Sequence, residues 1–211
     1  MAVTGIILVA GNSTRFGKKT NKNFEKIKGK YIIEYSLEHF IRNERIKDII
    51  IAVKKEEKEF INTIISNINS TKPIKLVEGG KTRQESVYNC ITNTKSEIVI
   101  IHDGARPLIK QEYINKCLDE MKKYNGATIA VKSKDTIKIS DDNGVVINTT
   151  ERRNTWITQT PQCFNKKLLL DAHKKFKDNE NITDDCMLLE LLGDKVKLIE
   201  GDYTNIKVTT R

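Results

Sequence analysis

The chain has 211 residues, 38% of them hydrophobic, with 37 lysines and arginines against 28 acids and a formal net charge of +9. That length can bury one sizeable core, so a single domain over 1–211 is expected, and this balance of apolar and charged residues excludes a disordered chain. The lysines are scattered in pairs (Lys18-Lys19, Lys54-Lys55, Lys122-Lys123, Lys174-Lys175) with no aromatic-interleaved basic run, which argues against nucleic acid and for an anionic small molecule.

In chain order, the apolar run Ile6 to Ala10 leads into Gly11-Asn-Ser-Thr-Arg15-Phe-Gly17, with Lys22 following. A strand feeding a glycine-bearing loop suits a phosphate site: backbone N–H groups approach the anion, Arg15 offers a planar fork and Lys22 a point charge. The spacing matches neither the dinucleotide fingerprint nor the Walker loop, because Gly11-Asn-Ser13 lacks the second glycine and no Ser or Thr follows Lys18. Taken alone, the loop is equally compatible with an ordinary strand-to-loop turn.

Further apolar runs lie at Ile49 to Val53, Ile74 to Val77, Ile98 to Ile101 and Ala127 to Val131. Stretches of helical period separate them: Ile32 to Ile41, Glu56 to Ile68, Thr82 to Cys90 and Gln111 to Tyr124. This alternation predicts a Rossmann-like α/β fold, a mostly parallel sheet with helices on both faces. Ligands in such sheets sit beyond the carboxyl ends of the strands. From about 132 to 154 the pattern turns polar and alternating around Asp141-Asp-Asn-Gly144, which predicts a protruding β-hairpin arm suited to packing on a second copy, or a simple surface excursion. Helices near Lys166 to Phe176 and Asp184 to Leu192 follow, with short strands around Val196 to Ile199 and Ile206 to Val208.

Gly79-Gly80-Lys81-Thr82-Arg83-Gln84-Glu85-Ser86 closes a strand and opens a helix. The paired glycines admit a close ligand, while Thr82 with Glu85 also forms a capping-box pattern. In His102-Asp103-Gly-Ala-Arg106-Pro107 a carboxylate at a strand end could hold a hydroxyl and Arg106 a phosphate; an internal Asp–Arg pair is the plainer alternative. His102 leads out of a buried strand and is expected to pack or hydrogen-bond rather than act as a base. Thr183, before Asp184-Asp185, reads as a helix N-cap, and Lys207 sits in a polar segment near a predicted strand. Cys90, Cys117, Cys163 and Cys186 are too dispersed for a zinc site or a disulfide framework. No apolar run approaches the ~20 residues of a membrane span and Met1-Ala-Val-Thr lacks a basic leader, so a cytoplasmic protein with no membrane partner is expected.

Together, Val9-Ala10-Gly11 with Arg15 and Lys22, Gly79-Gly80 with Arg83-Gln84 and Ser86, His102-Asp103-Gly-Ala-Arg106-Pro107, Asp135-Thr136, Thr160-Pro161-Gln162, Thr183-Asp184 and Asn205-Ile-Lys207 resemble the 2-C-methyl-D-erythritol 4-phosphate cytidylyltransferase family over the whole chain, in order. The resemblance implies a nucleotidyltransferase (GT-A-like) fold and attack of a polyol phosphate on the α-phosphorus of CTP. Arg15 and Lys22 are then catalytic. Val9, Ala10, Gly11, Gly79, Gly80, Arg83 and Ser86 bind the nucleotide, and Asp103, Arg106, Thr136, Arg152, Thr183 and Lys207 bind the polyol phosphate. It also implies Mg²⁺ held mainly by phosphates rather than by protein ligands, and a homodimer whose arms carry Thr136 and Arg152 into the partner's site. The chain departs from the family pattern at Val9 and Ser13, where Ala and Gly are usual, at Asn21 and Asn23, which flank the lysine in place of Pro and Gln, and at Lys81, where some members carry an acid. Two alternatives remain: ribitol-5-phosphate cytidylyltransferase, disfavoured by Gln84 and Gly104-Ala105, and a non-catalytic basic domain that binds nucleotides or RNA.

Overall fold

Strands covered on both faces have no solvent side to mark with polar residues, and the uninterrupted apolar runs of this chain become the inner strands of one sheet. The computed structural model describes residues 1–11 and 21–209. Its strands are β1 (Val3–Leu8), β2 (Lys26–Ile27), β3 (Lys30–Tyr31), β4 (Asp48–Val53), β5 (Ile74–Glu78), β6 (Ile98–Asp103), β7 (Gly126–Lys132), β8 (Lys138–Ser140), β9 (Val146–Thr149), β10 (Trp156–Asn165) and β11 (Val196–Glu200). The helices are α1 (Ile32–Arg42), α2 (Lys58–Asn67), α3 (Arg83–Ile91), α4 (Gln111–Glu120), α5 (Lys166–Lys175) and α6 (Asp185–Leu191). The main sheet is seven-stranded in the order β11-β7-β10-β6-β1-β4-β5, and only β10 runs antiparallel to its neighbours.

Period-two alternation sorts the apolar side chains onto two faces. Ile7, Ile49, Ile51 and Ile100 pack with Ile33 and Phe40 of α1, Ile61 of α2 and Ile114 of α4. Ile6, Ile50, Val99 and Ile101 pack on the other side with Val87 of α3, Leu169 of α5 and Leu188 of α6. Each such side chain, fully withdrawn from water, contributes about 1.5–3 kcal/mol. The helices fix the sheet and thereby the loops at its carboxyl edge. None of the described helices is long and apolar enough to cross a membrane.

The arm forms as expected within 132–154: β8 pairs with β9 in an antiparallel ladder, closed by a turn in which Asp141 Oδ1 accepts from the Asn143 and Val145 amides and Gly144 takes φ +79°. Both strands are exposed along their length.

The sequence reading missed β10 as a strand, because Thr158-Gln-Thr-Pro-Gln162 has the look of a loop. Thr160 Oγ1 and Gln162 Nε2 find partners inside the protein, though buried Gln162 Oε1 has none, and Pro161 follows a cis bond within the register break between Thr158 and Gln162, where no ladder N–H is needed. The strand expected at Ile206 to Val208 does not form; the segment instead makes a local bond from Ile206 N to Thr204 O and one bond to the loop after β6, from Val208 N to Ala105 O. The cap of α6 is Asp184, which accepts from the Met187 amide, and not Thr183, which lies one residue earlier and is exposed.

Gly5 in β1 is required by close approach: a Cβ built there would lie 2.4 Å from Cδ1 of the Phe40 ring. Replacing Gly5 with Val should cost about 1–3 kcal/mol through overpacking, read as a lower urea midpoint at unchanged slope. An unchanged midpoint would contradict this packing.

Candidate active site

The carboxyl ends of β1, β5 and β6 open onto one cavity of about 870 Å³, lined among others by Ala10, Gly11, Lys22, Gly79, Gly80, Arg83, Ser86, Asp103 and Lys207. Residues predicted from separate parts of the sequence thus share one cleft at the sheet edge where α/β proteins bind ligands.

Its glycine wall is set by contact distance. A Cβ on Gly79 would stand 2.3 Å from Cβ of Ala10, so only glycine lets the β5 loop close against the β1 loop. Ser86 Oγ accepts from the Gly80 amide at 3.0 Å and donates to Thr82 O at 2.9 Å, so the hydroxyl predicted to contact nucleotide also shapes the turn. Thr82 caps α3 by accepting from the Glu85 amide, but the Glu85 carboxylate accepts from the Lys81 amide instead of returning to Thr82.

Cation and carboxylate alternate across the cleft floor. Asp103, at the end of β6, takes Lys207 Nζ at 2.6 Å on one oxygen and Arg83 Nε at 3.5 Å on the other. Arg83 turns its Nη1 to Asp185 Oδ2 at 2.7 Å, where the carboxylate is 1% exposed. Burial opposes ionisation of Asp103, yet Arg83 and Lys207 outweigh it and hold the carboxyl well below the usual carboxylate range. Burial likewise opposes the charge on Arg83, but Asp185 and Asp103 raise its pKa above the ordinary arginine value. Asp103 and Arg83 therefore both carry their charges at neutral pH, and Lys207 is the more exposed of the two cations on Asp103.

His102 is fully buried, and burial pulls its pKa down to about 4. The neutral ring accepts at Nδ1 from Thr160 Oγ1, which itself accepts from the Asp103 amide, and donates from Nε2 to Arg106 O. That fixes the tautomer and makes His102 a brace for the strand end, in agreement with its expected packing role.

Lys22 reaches the cleft from a 3₁₀ turn, Lys22–Phe24, capped by Asn21 and seated by Phe24 against Phe60 with ring centroids 4.8 Å apart. Arg15 lies outside the described residues. Val9 is buried behind the cleft wall, its amide bonded to Ala52 O and its carbonyl to Asn21 Nδ2. Arg106 does not line the cavity and does not pair with Asp103: Nη1 donates to Asn205 O at 2.7 Å, and buried Nε has no partner. Thr136 and Arg152 lie outside the cleft on the exposed arm, where Arg152 Nη2 donates to Thr136 Oγ1 at 2.7 Å, and exposed Thr183 does not line the cavity either.

Sequence reasoning missed Asp185, Asn21 and Asn205. Asp185 was visible only as the second acid of a capping pair. Asn205 is fully buried and donates to Gln159 Oε1 and Thr160 O, fixing the segment that presents Lys207. Lys54, Lys55 and Lys81 also line the cavity and add to its positive field. Among the described residues no group of three or more His, Cys, Asp or Glu could hold a metal ion.

The model of the family described as 2-C-methyl-D-erythritol 4-phosphate cytidylyltransferase matches residues 3–211. A protein of that name from Caldanaerobacter subterraneus subsp. tengcongensis is 44% identical over 214 residues, covering 100% of this chain and 94% of its own length. One from Clostridium beijerinckii is 42% identical, covering 99% and 93%. Among solved structures, the 4-diphosphocytidyl-2C-methyl-D-erythritol synthase of Anaerococcus prevotii aligns with a TM-score of 0.88 at 32% identity, over 100% of this chain and 93% of that one. The bifunctional IspDF of Campylobacter jejuni aligns at 0.83 and 27% identity, over 100% of this chain and 52% of that one.

Because Asp185 is buried against the Arg83 guanidinium, Arg83→Met should strand its charge and destabilise the fold by about 3–5 kcal/mol in urea unfolding. Adding Asp185→Leu should recover most of the loss. A single-variant loss below about 1 kcal/mol, the level of an exposed pair, would contradict this account.

Proposed function

The chain belongs to the 2-C-methyl-D-erythritol 4-phosphate cytidylyltransferase family, and from that premise we propose how its own residues carry the reaction. The enzyme is a cytidylyltransferase that joins CTP and 2-C-methyl-D-erythritol 4-phosphate into 4-diphosphocytidyl-2-C-methyl-D-erythritol and pyrophosphate. A phosphate oxygen of the polyol forms the new bond to the α-phosphorus, and the bond from that phosphorus to the β-phosphate bridging oxygen breaks, its electron pair leaving with pyrophosphate. No covalent enzyme intermediate is needed. The barrier is the crowding of negative charge at five-coordinate phosphorus, which preorganised cations relieve most in the transition state.

One observation carries the assignment of roles: Lys22, the Gly79-Gly80 turn and the Asp103–Lys207 pair face the same cavity. Lys22 and, by resemblance, Arg15 neutralise the triphosphate around the α-phosphorus. Ala10, Gly11, Gly79 and Gly80 lie against the cytidine, with Val9 backing the loop and Ser86 holding the Gly80 amide. Lys207 receives the polyol phosphate, and Asp103 holds both that lysine and a polyol hydroxyl. Arg83, engaged by two carboxylates, supports this floor rather than reaching the nucleotide. Arg106 acts through the Asn205 carbonyl on the same lysine-bearing segment.

A Mg²⁺ held mainly by the substrate phosphates would supply positive charge to the triphosphate, with the described residues contributing no acidic cluster of their own. When bound it neutralises triphosphate charge. Asp103 lines the cleft, but its oxygens already serve Lys207 and Arg83.

The arm leaves Ile139, Val145, Val146 and Ile147 between 47% and 68% exposed, an apolar set that a second copy would cover. We therefore assign the arm to a homodimer interface, with Thr136 and Arg152 completing the partner's polyol site and Thr183 at the rim of its own. The described cysteines are all free thiols, which suits the cytoplasm.

The purified enzyme should release pyrophosphate from CTP in the presence of Mg²⁺ and methylerythritol phosphate, with ribitol 5-phosphate at least about tenfold slower. Lys22→Ala should lower kcat by about a hundredfold or more with a much smaller change in KM for CTP. No pyrophosphate from folded protein would overturn the activity, and faster turnover of ribitol 5-phosphate would reverse the substrate.

A further inference from the structure

The side chain of Asn21 ties together three segments that meet beside the cleft. Its Nδ2 donates to Val9 O at 2.7 Å and to Glu57 Oε2 at 3.1 Å. Its Oδ1 accepts from the Asn23 amide at 3.1 Å and from Asn23 Nδ2 at 2.9 Å. Asn21 is 4% exposed and Asn23 3%, so these bonds are made out of water, where breaking them is costly.

Lys22 stands between these two asparagines and is the first residue of the turn that Asn21 caps. Its backbone is thus tied at both neighbours. The Val9 carbonyl precedes Ala10 and Gly11, which line the cleft, and Glu57 ends the 3₁₀ turn that leads into α2. The bond from Asn21 to Val9 brings the carboxyl end of β1 and the start of the lysine turn to one point. Sterically the neighbourhood is tight as well: a Cβ on Gly104, next to Asp103, would meet Asn23 Oδ1 at 3.0 Å.

We propose that Asn21 is a positioning residue for the transfer reaction: its amide clasps Val9, Asn23 and Glu57 so that the Lys22 ammonium is held in register with the nucleotide wall at Ala10-Gly11. The inference rests on Lys22 acting in the transition state, as assigned above. An ordinary N-cap needs only the acceptor oxygen of Asn21. The two donor bonds go beyond capping, because they fix where the turn sits relative to β1 and α2. A lysine on a flexible stem gains from this, since displacement of about 1 Å can cost up to about a hundredfold in rate.

The test is a double-mutant cycle on the intact enzyme, with pyrophosphate release followed at saturating CTP, Mg²⁺ and methylerythritol phosphate. Asn21→Ala should lower kcat by about tenfold, with both KM values within about twofold. In the Lys22→Ala background the same substitution should change kcat by less than about twofold, because the group it positions is gone. Asn21→Ser keeps a capping oxygen but cannot span to Val9 and Glu57; it should fold and retain most of the loss in kcat. Equal losses in both backgrounds, a loss confined to KM for CTP, or wild-type turnover by Asn21→Ser would overturn the clasp while leaving the role of Lys22 intact. Wild-type turnover by Lys22→Ala would overturn both.

Discussion

A carboxylate buried at the end of an inner strand has to be neutralised, and in this protein that need organises the cleft. Asp103 closes β6 at 8% exposure, and its two oxygens draw Lys207 from the C-terminal segment and Arg83 from the start of α3. Arg83 in turn holds Asp185 at the start of α6. Alternating charges therefore join β6, both helices and the tail. An unpaired buried charge would cost several kcal/mol, so these groups converge together or not at all. Behind Asp185, buried His173 Nε2 lies 3.8 Å away. Burial lowers the pKa of that imidazole, so it backs the carboxylate as a neutral ring and does not compete with Arg83.

The one antiparallel strand of the main sheet serves the same end. By lying between β6 and β7, β10 brings Thr160, Gln159 and Gln162 under the cleft, where an all-parallel sheet would present apolar side chains. Thr160 braces Asp103 and His102, Gln159 and the Thr160 carbonyl hold Asn205, and Gln162 reaches Asp184 at the cap of α6. The tail that carries Lys207 has no strand of its own. It is held by this polar network, by Arg106 on the Asn205 carbonyl and by the Val208 bond to Ala105. In the proposed reaction Lys207 is fixed through its backbone, while its ammonium, paired with Asp103 at rest, meets the substrate phosphate.

Much of this was legible in the sequence, and the rest was not for identifiable reasons. Continuous apolar runs and helical period located β1, β4, β5, β6 and α1 to α6, since burial on two faces writes itself into local pattern. Gly79-Gly80, Asp103 and Lys207 could be singled out because their residue types suit anion and polyol chemistry at loop positions. The arm announced itself through Asp141-Asp-Asn-Gly144. What stayed hidden depended on partners far away in the chain. Arg83 reads as a ligand-facing residue and does line the cleft, but the carboxylate that also engages it lies 102 positions later. Arg106 reads as a phosphate ligand or as the partner of Asp103, three residues before it, but its Nη1 finds a carbonyl 99 positions on. β10 was hidden because polar side chains satisfied by tertiary contacts look locally like a solvated loop.

The proposed reaction turns on Asp103 holding Lys207 for the incoming phosphate. The most direct measurement is the pair of KM values for Asp103→Asn, a near-isosteric change that removes the charge from the end of β6. The KM for methylerythritol phosphate should rise by about tenfold or more while that for CTP changes by less than about threefold, as expected when one substrate's site loses its organising charge. A rise in KM for CTP with the polyol value unchanged would contradict it.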